Sequence, residues 1–297
     1  MAMREIKGVL CPAISTFKEN GDLDFAAFEK NIQMWNEYPL EGYVVFGPTA
    51  EAVLLTEQEK TATLKACVGS AAEEKRILVS SGCESTRATL ELTNKCARLG
   101  ADAALISSPS YYRNRMSRQA IYEHYILVAN ESEIPVILYN DPFNTGINME
   151  PDLIAELSAH KNIVGVQDNS SSIAQIGEIL SLVAEDFTVL GGTANIFFSG
   201  YMMGMQGGIQ ALASFCPAEC TELYFLCKEG KYAQAAALQK RLIPLNKAIT
   251  TVYGLAGLKA IMEMKGFFGG YPRRPLLPTS DEEKAELRKI ASKAGLI

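Results

Sequence analysis

Short apolar segments alternate with longer amphipathic segments along most of this chain of 297 residues, and the alternation repeats eight times. The apolar segments are rich in Val, Ile, Leu and Ala and are bounded by Gly, Pro, Ser and Asn, which is typical of strands buried on both faces. Repeated strand–helix–strand units predict parallel strands with crossover helices, and eight units are the number that closes a barrel. We therefore predict an α/β fold of the (β/α)8 TIM barrel type.

The predicted strands cover residues 9–15, 43–46, 77–80, 103–107, 136–139, 163–166, 188–190 and 208–213. The predicted helices between them cover residues 24–36, 56–69, 85–99, 117–129, 151–158, 173–184 and 194–203. Further helices are predicted at residues 218–230, 232–253, 255–264 and 280–294, more than a barrel needs. We expect residues 1–215 to form the barrel and residues 216–297 to form a C-terminal helical region packed on it.

Composition limits the class of protein. Hydrophobic residues make up 48% of the chain and charged residues 21%, the balance of a globular protein with a sizeable core. The net charge is −6 and no block of like charges occurs, which argues against nucleic acid and favours small-molecule partners. The cysteines are odd in number and scattered, as expected of reduced thiols.

The sequence also indicates where the protein works. No apolar run reaches the roughly 18–20 residues of a membrane span, and the first residues lack the apolar core of a signal peptide. We expect no membrane partner and a cytoplasmic location, although a chain whose targeting segment had been removed would show the same pattern.

The predicted sixth strand ends in an abrupt change to polar residues. Gln167, Asp168, Asn169 and Ser170 follow the apolar residues 163–166 without a break. Because TIM barrels carry their active sites at the carboxyl ends of the strands, we expect Gln167 to point into the mouth of the barrel. Polar segments of uncommon composition follow the neighbouring strands as well: GPTAEA, SGCES, SSPSYYRNR, YNDPFNTG and GGTAN.

Four segments together resemble the dihydrodipicolinate synthase and N-acetylneuraminate lyase family of class I aldolases: GPTAE, SPSYYR, ILYNDPFNTG and NIVGVQDNS. Within the family, the chain is most similar to the 4-hydroxy-2-oxoglutarate aldolases, through SGCEST, GADAA, YYRNRMS, NTG, HKNIVG and GLKAIM. The resemblance spans essentially the whole chain. It implies a barrel with C-terminal helices, a small 2-oxo acid such as pyruvate as substrate, no cofactor, and a homo-oligomer, either tetramer or dimer.

One position departs from the family at the centre of its chemistry. The resemblance implies a lysine at the end of the sixth strand, which forms an imine with the ketone of the substrate. This chain has Gln167 there, and an amide nitrogen cannot form an imine because its lone pair is delocalised. Lys161 is expected at the opposite end of the strand, and Lys18 in a solvated turn. With only two histidines, His124 and His160, a catalytic metal is not expected.

The resemblance implies further site residues. Tyr139, at the end of the fifth strand, is expected to pass protons to and from the substrate. Thr49 and Tyr111 are expected to complete a proton relay, with Tyr112 as the alternative to Tyr111.

The family binds the substrate carboxylate with backbone N–H groups of the loop that here comprises residues 47–51. Pro48 removes one such donor, and Ala50 replaces a glycine of the family pattern, so we expect a reshaped carboxylate site.

Other departures fall near the same expected cavity. Asn144 replaces an arginine of the dihydrodipicolinate synthases, which disfavours that specific activity, and Gln210 stands where the family has a small or apolar residue. Asp141 is either a turn residue before Pro142 or a general acid or base that works with Tyr139. Asn169 is expected to shape the substrate-binding loop rather than to react.

These observations predict a lyase-family enzyme that acts on a small 2-oxo acid or an adduct of one without an imine. Thr49, Tyr139 and Gln167 are expected to stabilise an enolate by hydrogen bonds, while Asp141 handles protons. Such hydrogen bonds contribute about 2.7–4 kcal/mol each, so a dehydration, cyclisation or tautomerisation is favoured over retro-aldol cleavage. Two alternatives stay open: an aldolase with an engineered Lys→Gln change, and a catalytically silent binding or regulatory protein.

Overall fold

The computed structural model describes residues 6–297 and shows a closed barrel of parallel strands in the chain order β1 to β8. The strands are β1 (Gly8–Pro12), β2 (Gly42–Val45), β3 (Arg76–Ser80), β4 (Ala103–Ser107), β5 (Val136–Asn140), β6 (Ile163–Asp168), β7 (Thr188–Gly191) and β8 (Gly207–Ile209). The last strand pairs with the first, Gly8 opposite Gly207, and this pairing closes the barrel. The predicted TIM barrel is confirmed.

Helices follow the strands and then continue beyond the barrel. They are α1 (Phe25–Asn36), α2 (Glu57–Ser70), α3 (Thr86–Arg98), α4 (Arg118–Glu131), α5 (Pro142–Thr145), α6 (Pro151–Ser158), α7 (Ile173–Leu182), α8 (Phe197–Met203), α9 (Pro217–Lys228), α10 (Tyr232–Lys247), α11 (Gly254–Lys265) and α12 (Asp281–Lys293). Thr56 and Glu59 form the reciprocal capping box that begins α2. The first helix after residue 215, α9, packs directly against strand β1 of the barrel. The division into a barrel of residues 1–215 and a helical region of residues 216–297 therefore stays a prediction.

Three strands end two or more residues away from the position that their sequences predicted. β1 ends at Pro12 and β8 at Ile209, and a short 3-10 helix follows β8 at Ala211–Ser214. β6 instead continues through Asp168, because Gln167 and Asp168 keep the register with both β5 and β7. Polarity alone had indicated a loop there, but in a barrel the end of a strand can be polar and still be paired.

Two layers of apolar side chains hold the barrel together. The outer layer fills the space between strands and helices. The inner cluster consists of the side chains that fill the barrel itself: Ile6, Leu10, Val44, Leu78, Ala103, Leu105, Ile137, Tyr139, Leu190 and Ile209. Tyr139 is the member of this cluster with a hydroxyl group. No helix within residues 6–297 combines the length and the apolar character that crossing a membrane requires.

His124 makes the stability of the fold sensitive to acid. Its Nδ1 lies 2.9 Å from the Thr86 hydroxyl, and burial lowers the pKa of His124 to about 4. The ordinary pKa is about 6.5, so the unfolded chain binds the proton first as pH falls. We expect the free energy of unfolding to fall by up to about 3 kcal/mol between pH 6.5 and pH 4 through this residue.

Urea denaturation at pH 7.5, 6, 5 and 4 measures the effect. His124→Asn should show a shallower loss of stability toward acid than the unsubstituted protein, whereas His160→Asn, at a less buried site, should show the same loss. Parallel pH profiles for the protein and His124→Asn would contradict the assignment.

Candidate functional site at the carboxyl ends of the strands

Gln167 faces the interior of the barrel. It stands in register between Tyr139 on β5 and Leu190 on β7, whose side chains both belong to the inner cluster. Residues paired across parallel strands point to the same face, so Gln167 points inward as well. Its side chain is buried near the carboxyl end of β6, as the sequence predicted.

A chain of hydrogen bonds runs from Gln167 to Asp141, and we call it the amide–phenol–carboxylate chain. Gln167 Nε2 donates to Asn169 Oδ1 at 2.9 Å, and Asn169 Nδ2 donates to Tyr139 Oη at 3.0 Å. Tyr139 Oη donates to Asp141 Oδ2 at 3.0 Å, and Asn144 Nδ2 donates to the same oxygen at 2.6 Å. Five residues singled out in the sequence therefore lie in one connected cluster.

Asp141 belongs to this cluster and also borders a turn. It precedes the single turn α5, but its carboxylate makes no capping bond to that turn. Both donors reach Oδ2, while Oδ1 makes no hydrogen bond with any residue in 6–297. Asp141 thus presents a buried carboxylate with one oxygen free, which is the arrangement a general base needs.

Tyr139 stays neutral at physiological pH. Burial raises its pKa well above 10, and the negative charge of Asp141 raises it further. A neutral phenol can donate a proton or a hydrogen bond, but it is not a base. Tyr139 is therefore a donor in this cluster.

The loop after β7 makes room for the amide–phenol–carboxylate chain. A Cβ atom on Gly192 would lie 1.2 Å from Asn169 Oδ1, so a glycine is required wherever Asn169 adopts this position. The backbone N–H of Gly192 also donates to the carbonyl of Asp168 at 2.9 Å. The GG pair of the GGTAN segment thus has a packing reason.

The Asp168 carboxylate holds the loop after β6 in place through hydrogen bonds. Its carboxylate accepts from Asn140 Nδ2 at 2.8 Å, from Gln175 Nε2 at 2.7 Å and from the backbone N–H of Ser170 at 3.0 Å, and also from the Ser170 hydroxyl. The side chain is completely buried. Sequence reasoning assigned no role to Asp168, yet its carboxylate joins β5, β6 and α7 at the residue that follows Gln167.

Thr49 lies in a tight turn after β2. Pro48–Ala50 form one 3-10 turn, and the following Glu51 adopts a left-handed backbone conformation with φ 54°. The hydroxyl of Thr49 is buried and has no hydrogen-bond partner among the described residues. It is therefore free to bind a ligand.

Glu51 and Lys259 form a buried ion pair that sequence reasoning missed. Lys259 Nζ on α11 lies 2.7 Å from Glu51 Oε1, and both side chains are 1% exposed. The ammonium also donates to the carbonyls of Ser15 at 2.8 Å and Tyr271 at 2.7 Å. Burial lowers the pKa of Lys259, and the charge of Glu51 opposes that shift. In the sequence, Lys259 lies in the GLKAIM segment, which contributed to the family resemblance but indicated no role for this lysine.

Like the turn at Pro48–Ala50, two further predicted site residues do not join this cluster. The side chain of Tyr111 is 78% exposed, and its ring packs edge-on against Tyr112 at 5.0 Å. Within this single chain it does not join Tyr139, so its catalytic role stays a prediction. Gln210 directly follows β8; it is fully buried, and neither polar atom of its amide has a partner within residues 6–297.

The lysines weighed as replacements are also apart from the cluster. Lys18 and Lys161 are both exposed. Among residues 6–297, Lys259 is the one lysine that is fully buried, and its ammonium is engaged as described. The same part of the chain contains no group of three or more His, Cys, Asp or Glu side chains arranged to hold a metal ion.

The sequence of the chain matches one protein family and named relatives over nearly its whole length. The model of the dihydrodipicolinate synthetase family matches residues 5–294. A 4-hydroxy-tetrahydrodipicolinate synthase from Methanothrix thermoacetophila is 32% identical over 97% of this chain and 96% of the relative. A probable mitochondrial 4-hydroxy-2-oxoglutarate aldolase from Emericella nidulans is 30% identical over 97% of this chain and 95% of the relative.

Solved structures of dihydrodipicolinate synthases have the same fold as this chain. The dihydrodipicolinate synthase of Thermotoga maritima superposes with a TM-score of 0.94 at 27% identity, covering 99% of this chain and 100% of the other. A monomeric dihydrodipicolinate synthase variant superposes with a TM-score of 0.93 at 28% identity, covering 98% of each chain.

Proposed function

Because the chain belongs to the dihydrodipicolinate synthetase family of lyases, we propose that it binds a small 2-oxo acid, or an adduct of one, at the carboxyl ends of its barrel strands. We propose further that it catalyses a dehydration, cyclisation or tautomerisation without an imine. The observation that carries the proposal is the buried chain from Gln167 through Asn169 and Tyr139 to Asp141.

The absence of an imine rests on the chemistry of two side chains. Gln167 occupies the position that the family resemblance gives to the lysine, and its amide nitrogen is not a nucleophile. Lys259 is buried, but its ammonium is held by the Glu51 carboxylate and two carbonyl oxygens. A lysine held as a cation in this way has no free lone pair with which to attack a ketone.

Asp141 and Tyr139 supply acid–base chemistry in its place. Asp141 Oδ1 removes a proton from the carbon next to the ketone, and the Thr49 hydroxyl donates a hydrogen bond to the developing enolate oxygen. Once Asp141 is protonated, Tyr139 releases its own proton to a departing hydroxyl group, which leaves as water. Asp141 then returns the substrate proton to Tyr139. Gln167 Nε2 donates to Asn169, and the one O–H of Tyr139 donates to Asp141 until it passes to the departing hydroxyl, so Thr49 is the donor we assign to the enolate oxygen.

Assembly and location are part of the proposal. Large apolar side chains project from the loops around the barrel mouth: Val53, Tyr111, Tyr112 and Phe143. Exposed aromatic residues of this kind are enriched at interfaces between subunits. We propose a cytoplasmic homo-oligomer, a tetramer or a dimer, in which Tyr111 and Tyr112 pack against a second copy.

Reductive trapping and a substrate panel test the proposed function. Incubation with pyruvate or 4-hydroxy-2-oxoglutarate and borohydride should leave the intact mass unchanged, whereas Gln167→Lys supplies the amine needed for a trapped adduct. Turnover of at least one member of a panel of 2-oxo acids and their hydroxylated adducts is expected. A trapped adduct on the unsubstituted protein would contradict the imine-free reaction. Thermal stabilisation by a ligand with no turnover of any member would instead favour a binding protein.

A further inference from the structure

The direction of every hydrogen bond in the amide–phenol–carboxylate chain follows from its last member. A carboxylate only accepts hydrogen bonds, so Tyr139 must donate to Asp141. The Tyr139 oxygen then accepts from the amide nitrogen of Asn169, which turns the Asn169 carbonyl toward Gln167. Gln167 must meet that carbonyl with its nitrogen, at 2.9 Å.

This order leaves the carbonyl oxygen of Gln167 without a partner. Gln167 Oε1 is buried and accepts no hydrogen bond from any residue in the described part of the chain. A buried unpaired acceptor is costly, and native proteins rarely keep one without a ligand or water to fill it. The atom belongs to a side chain that is 3% exposed and faces the interior of the barrel.

We infer that Gln167 Oε1 is a subsite for a hydroxyl group, so that the site takes carboxylic acids bearing an O–H donor at this point in preference to acids that present a ketone oxygen there. The inference rests on the proposed function, and it specifies the class of substrate. A ketone oxygen placed against Gln167 Oε1 would set two acceptors against each other, whereas a hydroxyl would satisfy the acceptor.

A second unpartnered atom complements this subsite. Thr49 follows β2, and β2 and β6 stand four strands apart around the eight-stranded barrel, so they lie on opposite sides of its mouth. The Thr49 hydroxyl can donate, whereas Gln167 Oε1 can only accept. A ligand with an acceptor oxygen of a ketone or carboxylate toward Thr49 and a hydroxyl toward Gln167 would satisfy both atoms, as a hydroxylated 2-oxo acid or a 2-hydroxy acid can.

Matched pairs of acids test the inference by calorimetry. Lactate and pyruvate share one carbon skeleton and differ in whether C2 bears a hydroxyl or a ketone, and 2-hydroxyglutarate and 2-oxoglutarate form a longer pair. The protein should bind the hydroxy acid of at least one pair about 10- to 100-fold more tightly than the oxo acid. This measurement needs no variant.

Variants then locate the preference. Gln167→Met removes the acceptor at similar length and should bring the ratio of the two dissociation constants close to 1. Gln119→Met makes the same change at an exposed position of α4 and should leave the ratio unchanged. A preference that survives in a folded Gln167→Met protein would overturn the subsite.

The outcomes separate this inference from the proposed function. Turnover of 2-oxo acids together with equal or tighter binding of the oxo member in both pairs would overturn the hydroxyl subsite and leave the proposed function standing. No binding of either pair at millimolar concentration would overturn the hydroxyl subsite, and the absence of turnover in the panel would overturn the proposed function with it.

Discussion

Replacing Lys259 with methionine should lower the free energy of unfolding by about 3–5 kcal/mol. The reason is that the Glu51 carboxyl would lose the ammonium that lies 2.7 Å away, in a place where neither side chain reaches water. The backbone N–H of Arg273, at 2.7 Å, would be its remaining donor. An uncompensated buried carboxylate costs far more than the intact pair contributes.

Urea denaturation of four variants measures this effect: Lys259→Met, Glu51→Gln, the double variant and a control. The double variant Lys259→Met with Glu51→Gln should recover part of the loss, since it removes both charges, and its cost should fall well below the sum of the single changes. Lys284→Met is the matched control: its pair with Asp281 is solvated, with side chains 46% and 95% exposed, and the change should cost less than about 1 kcal/mol. Equal losses for Lys259→Met and Lys284→Met would contradict the assignment.

Replacing Asp141 with asparagine should lower kcat about 10²–10⁴-fold on whichever substrate the panel identifies. Asparagine has nearly the same shape, but it cannot take up a proton from carbon. The loss should fall mainly on kcat, because the change removes proton transfer rather than ground-state binding. Asp152→Asn, at an exposed carboxylate on α6, should leave kcat unchanged.

Tyrosine titration gives this prediction a second readout. The charge of Asp141 is one of the causes that hold the pKa of Tyr139 above its ordinary value, so Asp141→Asn should lower the pKa of Tyr139 in an ultraviolet pH titration. Unchanged kcat in Asp141→Asn would remove the residue from the reaction. An unchanged titration would show that Asp141 does not act on the phenol.

Much of the barrel is predictable because its signal is local. Each strand is a short apolar run, and each helix carries a cap or a breaker in its own sequence, as Thr56 and Glu59 do for α2. The error at β6 shows the limit of that signal. Gln167 and Asp168 look like a loop because they are polar, but their backbone pairs with β5 and β7, which no pattern within the segment reveals.

The candidate site likewise contains residues that are close in sequence and residues that are far apart. Tyr139, Asp141 and Asn144 lie within one short segment, and the bonds among them span two or three positions, so a local pattern could bring them to attention. The partnership of Glu51 with Lys259 depends on how α11 packs against the loop after β2, and no periodicity carries that information. The exposure of Tyr111 likewise follows from the path of the loop after β4, which no pattern within that segment reveals.

The contacts of Lys259 constrain the order in which parts of the protein can fold during synthesis. Its bond to the carbonyl of Ser15 joins residues 244 positions apart. A ribosome adding about 5–20 residues per second needs roughly 10–40 s to travel from Glu51 to Lys259, and during that interval the carboxylate has no counterion. The loop after β2, which carries Thr49, can therefore form its ion pair with α11 only after most of the polypeptide has been synthesised. We expect this part of the pocket to be among the last to fold.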